Sequence, residues 1–143
     1  MKNIKAFTGD IRKKVKRLEN EMLKCEQVDI PVKNYFAHGL YAREVFIPAG
    51  TVVTGKIHKY SQINILSQGE ISVVTESGVI RIKAPYTLVS PPGTKRAAYT
   101  HSDVIWTTIH ATHETDIQKI EEHFIAKDEQ EYLEFLSEQP CLG

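Results

Sequence analysis

Apolar residues recur along this chain with two different periods, and the change of period divides it. In residues 10–26, Ile11, Val15, Leu18 and Met22 are spaced by four, three and four residues, the single apolar stripe of an amphipathic helix. Thr8 or Asp10 is placed to cap its first turn, with Gly9 loosening the approach. Pro31 closes this segment, and from Tyr35 to Ile109 the pattern becomes that of short β-strands. Residues 40–47 are rich in Tyr, Val, Phe and Ile and turn at Pro48-Ala49-Gly50. Further strands are predicted over 52–58, 62–66, 71–75, 79–82, 87–89, 96–99 and 104–109. Glu76-Ser77-Gly78 reads as a hairpin turn, Pro91-Pro92-Gly93 as a rigid turn, and His38, before Gly39, as a turn residue. Strand 96–99 is expected to pair with strand 104–109.

Short strands at this spacing, with Gly and Pro between them and no helices, predict a sandwich or barrel. Beyond them, Thr115-Asp116-Ile117-Gln118 predicts a capping box in which Gln118 reaches back to Thr115. Ile117, Ile120 and Phe124 give a helix over 116–126 its stripe, and Tyr132, Leu133, Phe135 and Leu136 give a broad apolar face to a helix around 129–136. The expected organisation is an N-terminal helical extension (1–30), a β-barrel (31–112) and a C-terminal helical extension (113–143).

Composition narrows the partners more than it names them. At 143 residues with 41% hydrophobic and 25% charged content, the chain is one ordinary globular unit able to bury a core. It contains no apolar run long enough to span a bilayer and no signal-peptide pattern. A formal net charge of +0 gives no bulk attraction to nucleic acid or to an anionic membrane. The charge is nevertheless uneven: Arg12, Lys13, Lys14, Lys16 and Arg17 crowd the first helix, while Glu121, Glu122, Glu129, Glu131 and Glu134 crowd the last two. The basic face reads as solvated, or as paired with that acidic tail. Cys25 and Cys141 lack metal-type spacing, which points to a reduced, cytoplasmic protein, with a disulfide between them as the alternative. Phosphate loops, nucleophilic triads and zinc ribbons have no counterpart in the sequence.

Two stretches carry a specific spacing. Gly50 is followed by five residues, Lys56-Ile57-His58, three residues, Gln62, six residues and Gly69. Pro85 is followed by five residues, Pro91-Pro92-Gly93, two residues, Arg96, three residues and Thr100. Together with the lead-in Ile47-Pro48-Ala49-Gly50-Thr51, these frames resemble the two motifs of the cupin family, over roughly residues 40–110. The resemblance implies a mainly β, cupin-type jelly-roll barrel that is commonly a homodimer. The whole chain also resembles small cupin-like proteins of tailed bacteriophages, which implies a setting in the host cytoplasm.

The family's metal ligands are two histidines and a glutamate from the first motif and a histidine from the second. The matching positions here are Lys56, His58, Gln62 and Arg96. A divalent transition metal would therefore rest on His58 and Gln62, with another histidine such as His101 or His110. Lys56 and Arg96 oppose it, since unit charges 4 Å apart at a dielectric near 20 interact by about 4 kcal/mol.

Strand alternation puts Lys56, His58, Gln62 and Asn64 on one face and Ile57, Ile63 and Ile65 on the other. With Arg96 added, the first face predicts a cationic, polar pocket for a small anionic or sugar-like molecule, in which Arg96 could grip a carboxylate or phosphate bidentately. Two other readings stay open. One is an enzyme: a metal-dependent dioxygenase or isomerase/epimerase, or a metal-free isomerase with His58 as base and Tyr60 or Tyr99 as acid. The other is a dimeric accessory protein without catalysis, with Ile63, Ile65 and Trp106 on an exposed sheet face. Residue counting turns Trp106 away from Arg96's face and Tyr99 likewise, and His110 and His113 read as surface residues.

Overall fold

The computed structural model describes residues 7–139. Thr8 caps α1 (Gly9–Met22), its hydroxyl accepting from the Ile11 amide at 3.2 Å. The helix stops short of residue 26 because the Lys24 and Cys25 amides bond carbonyls three residues back, tightening the chain into a turn. Ten strands follow: β1 (Val32–Ala37), β2 (Leu40–Ile47), β3 (Val52–Thr54), β4 (Ile57–His58), β5 (Gln62–Gln68), β6 (Glu70–Thr75), β7 (Gly78–Lys83), β8 (Tyr86–Ser90), β9 (Ala97–Thr100) and β10 (Val104–Ala111). The chain ends in α2 (Ile117–Phe124), the two-residue strand β11 (Ile125–Ala126) and α3 (Glu129–Glu138).

The strands form two facing sheets, ordered β1-β2-β10-β5-β8 and β3-β9-β6-β7, with a small ribbon β11-β4 at one end. Every pairing is antiparallel. This is the predicted jelly roll, and Val45, Ile47, Leu66, Ile71, Val73, Ile82 and Val104 fill the space between its sheets.

Four local expectations are corrected. Strand β9 does not pair with β10; it lies between β3 and β6, while β10 runs between β2 and β5 in the other sheet. The link between them crosses from sheet to sheet, held by the His101 amide on Glu70 O at 2.9 Å and the Glu70 amide on Ser102 Oγ at 2.9 Å. The expected strand 52–58 breaks at Gly55-Lys56, where the Gly55 amide bonds Arg96 O at 2.8 Å. Helix α2 has no capping box: Asp116, not Thr115, is the N-cap, its carboxylate accepting from Gln118 and Lys119 amides. That helix ends at Phe124 because Ile125 and Ala126 leave it to pair with His58 and Ile57.

The helices are fastened to the barrel by one buried arginine. Arg12, 7% exposed, donates to Glu129 of α3 through Nε at 2.7 Å and Nη2 at 2.9 Å. Its remaining nitrogen reaches Phe7 O at 2.8 Å and Gly93 O at 3.2 Å, and the guanidinium lies 4.7 Å from the centre of the Tyr132 ring. Gly93 has φ +82, and a Cβ there would fall 2.6 Å from Tyr132 Oη and 2.8 Å from Arg12 Nη1, so this turn admits only glycine. A second tie joins Glu19 to Lys95 at 2.9 Å and to Thr54 Oγ1 at 2.9 Å. The basic helix thus pairs with the acidic tail and the barrel of its own chain.

Cys25 is an exposed thiol and Cys141 lies outside the described residues. Among the described residues no helix is long and apolar enough to cross a membrane. Removing the clamp should be costly, because Arg12→Ala leaves Glu129 half-buried and the Gly93 and Phe7 carbonyls unmet. We expect Arg12→Ala to lower unfolding free energy by about 2–3 kcal/mol in urea. A loss below about 0.5 kcal/mol, the range of an ordinary surface substitution, would show that the clamp is incidental.

Candidate functional site

A cavity of about 570 Å³ lies between the two sheets. Strand register explains its layering. Asn34, Arg43, Thr108 and Asn64 face one another across β1, β2, β10 and β5. The next inward row is Val32, Val45, Trp106 and Leu66, and Val53, Ala98 and Val73 face it from the other sheet. The cavity is therefore polar in its upper layer and hydrocarbon below. Helix α2 lies over the mouth, contributing Ile117, Ile120, Glu121 and Phe124 to the lining.

All five ligand-binding residues expected from the sequence (Lys56, His58, Gln62, Asn64 and Arg96) line this cavity. His58 is held by backbone on both edges: its amide donates to Thr94 O at 3.0 Å, its carbonyl accepts from Gly93 at 2.7 Å, and it registers with Ile125 of β11. Its ring stacks on His110, with centroids 5.8 Å apart and planes 17° from parallel. Burial, reinforced by the repulsion that a protonated His58 would meet from a protonated His110 and from Arg43 and Arg96, holds His58 down to about 3. Burial and Arg43 hold His110 down to about 4, so both imidazoles are neutral at neutral pH.

Asn64 is held on both sides of its amide, donating to Ser90 Oγ at 2.7 Å and accepting from Thr108 Oγ1 at 2.9 Å and Trp106 Nε1 at 3.3 Å. Three buried atoms on the wall have no partner among the described residues: His58 Nδ1, Gln62 Oε1 and Arg96 Nε. All three are enclosed within the wall rather than open to the cavity, and the Gln62 amide acts on the His58 ring as a hydrogen-bonding neighbour that favours its protonated form.

The two cations behave differently from the expectation. Arg96 is not a free fork: Nη1 donates to Val74 O at 2.8 Å, and Nη2 donates to Glu76 Oε1 at 3.1 Å and Ser90 Oγ at 3.0 Å. A buried guanidinium has to be neutralised, and Glu76 does this from the β6–β7 turn, while the remaining Nε is enclosed. Lys56, at the mouth, is paired with Glu121 of α2.

Other assignments are also corrected. Tyr60, expected to assist His58 as an acid, lies outside the cavity against His123 (5.3 Å), Phe124 (5.9 Å) and Phe135 (5.3 Å). The bend after β4 turns it onto α2 and α3. Tyr99 faces outward as counted, beside His101, whose Nε2 lies 2.7 Å from Ser72 Oγ. Trp106 is inside the barrel, not on the outer face, because residue parity does not carry across a link that changes sheet; the register also shifts between Ile105 and Trp106. His110 is 8% exposed and a cavity wall, not a surface residue.

For the divalent ion that the family resemblance implies, the donor set does not fit. The matched positions Lys56 and Arg96 are ion-paired elsewhere, and His101 bonds Ser72 outside the cavity. His58, His110 and Gln62 remain as neutral donors with no carboxylate among them, and among the described residues no group of three His, Cys, Asp or Glu gathers.

Sequence reasoning missed Arg43, although the signal was there. Tyr41, Arg43, Val45 and Ile47 alternate along β2, and the other three are buried, so Arg43 shares their inward face. The covering helix had no such signal.

No protein-family model matches the chain, and no curated protein matches it. Solved structures do. KdgF from Halomonas sp. is 23% identical over 64% of this chain and 90% of its own, with a TM-score of 0.52. An RmlC-like cupin from Shewanella frigidimarina is 19% identical over 64% and 85%, with a TM-score of 0.51. A cupin superfamily protein from Desulfitobacterium hafniense is 11% identical over 61% and 81%, with a TM-score of 0.50. These likenesses establish the cupin-type jelly-roll fold. None of these names bears on the bacteriophage likeness.

The two neutral histidines set a pH dependence. Unfolded, each takes up a proton near 6.5; folded, neither does until about 4 or about 3. Their contribution is therefore complete above pH 6.5 and is lost as pH falls toward those values, at about 1.4 kcal/mol per pH unit for each proton. Between pH 6.5 and the carboxylate range near 4.5, unfolding free energy should fall with acidification, and the His58→Gln/His110→Gln double variant should flatten the slope. An unchanged slope in that variant would contradict the assignment.

Proposed function

We propose that this protein binds a small anionic or polar organic molecule inside the barrel, and that binding rather than catalysis is its role. The reading rests on one observation above the rest: polar side chains, among them Asn34, His58, Gln62, Asn64 and Arg96, line one cavity of about 570 Å³ whose remaining walls are hydrocarbon. That volume lies within the range of small-molecule sites, and the mixture of hydrocarbon walls with a few polar groups is their usual composition. Catalysis has less behind it. His58 has no acid beside it once Tyr60 lies outside, and a base held near 3 is a poor proton acceptor.

A thermal-shift panel of monocarboxylates, sugar acids, phosphorylated sugars and nucleotides tests this. At least one class should raise the melting temperature by several degrees, and His58→Ala should reduce that shift. No shift from any class defeats the reading.

A homodimer is supported by a different feature. The outer face of the five-stranded sheet carries a row, Tyr35–Ala42–Ile109–Ile63–Val89, that crosses every strand. Ile63 is 43% and Val89 68% exposed, and the row beside it contains Lys33, Glu44, Thr107 and Ile65. An apolar stripe flanked by both charge signs suits a twofold contact between identical sheets. Light scattering should give a dimer at micromolar concentration and a monomer for Ile63→Lys. A monomeric parent protein would remove this proposal.

A further inference from the structure

The charge inventory of the cavity identifies which cation meets the ligand. Arg96 is neutralised by Glu76 and Lys56 by Glu121, and His58 and His110 are uncharged at neutral pH. Arg43 differs from all of these. It lines the cavity from β2, it is solvent-exposed at the rim, and among the described residues no carboxylate lies within ion-pairing distance of it. One positive charge is thus left facing the cavity without a partner.

Below Arg43 the lining changes character. Val45, Ile71, Val73, Ala98 and Trp106 present hydrocarbon and an indole face. The hydroxyls and amide in Arg43's own row and beside it already bond one another, Thr108 to Asn64 and Asn64 to Ser90. A polyhydroxylated molecule entering that layer would lose water from its hydroxyls and find few groups to replace it.

We propose that the ligand is an amphipathic monoanion: a monocarboxylate whose carboxylate meets Arg43 at the rim and whose apolar body enters the barrel beneath Trp106. This deepens the binding reading above and rests on it. Arg43 is the specificity-determining residue, because a guanidinium free of other partners can take both oxygens of one carboxylate. A second negative charge on the ligand would have no cation to meet unless Lys56 left Glu121. Phosphate monoesters and dicarboxylates are therefore disfavoured, and sugar acids are disfavoured by the hydrocarbon below.

Isothermal titration calorimetry on the full chain distinguishes these classes with four probes: octanoate, octanedioate, octan-1-ol and glucuronate. Octanoate should bind tightest, with each of the other three at least tenfold weaker. Arg43→Gln should weaken octanoate at least tenfold and bring it level with octan-1-ol, while Arg43→Lys retains part of the difference. Circular dichroism melts of both variants establish that they are folded. Preferential binding of glucuronate or octanedioate would overturn this inference and leave the binding reading standing. Octanoate binding that is equal in Arg43→Gln would overturn the role of Arg43. If no probe of this set binds and the wider panel above is also silent, both readings fall together.

Discussion

The buried Arg12 is the contact on which the arrangement of this molecule turns. It joins α1 to α3 through Glu129, and through Gly93 O it grips the turn whose amide bonds His58. The cavity wall is thereby built from outside the barrel. His58 sits on a two-residue strand, too short to hold itself, and is fixed by the 93–94 backbone on one side and by β11 on the other. The helical extensions do not merely decorate a barrel; they supply the second edge of the strand that carries its central imidazole. Charge burial explains why the clamp is an arginine. A planar fork can satisfy a carboxylate and two carbonyls at once, whereas a lysine has no such geometry.

The same logic governs the interior. A barrel that keeps the spacing of a metal-binding motif but replaces most ligands with cations and amides has to neutralise what it has gained. Glu76 and Glu121 do so, one from a hairpin turn and one from the covering helix. Asn64 gathers Trp106, Thr108 and Ser90 into a bonded layer that separates polar mouth from hydrocarbon floor. The outcome is a two-layer cavity at which, among the described residues, Arg43 has no carboxylate partner.

Much of this was legible beforehand, for identifiable reasons. Period-two alternation and Gly/Pro turns are local signals, and they located the strands and hairpins. Motif spacing brought His58, Gln62 and Arg96 to one cavity because the barrel, not the ligands, sets that spacing. What failed was anything that depended on where a neighbouring segment crosses. Parity could not be carried from Arg96 to Trp106 across a link that changes sheet, and Tyr60 could not be placed without knowing where α2 and α3 lie. The partners of Lys56 and Arg96 were hidden likewise, since Glu121 and Glu76 reach them through tertiary packing alone. Arg43 was available from alternation and went unread because it stands outside both motif frames.

The position of Trp106 has an experimental consequence. It is the chain's single tryptophan, it lines the cavity, and its indole nitrogen donates to Asn64. Indole emission depends on the polarity of its surroundings and on that hydrogen bond. The protein therefore carries one intrinsic tryptophan probe, with no background from a second, set at the boundary between the polar and hydrocarbon layers of its cavity. A molecule bound in this cavity would lie beside it.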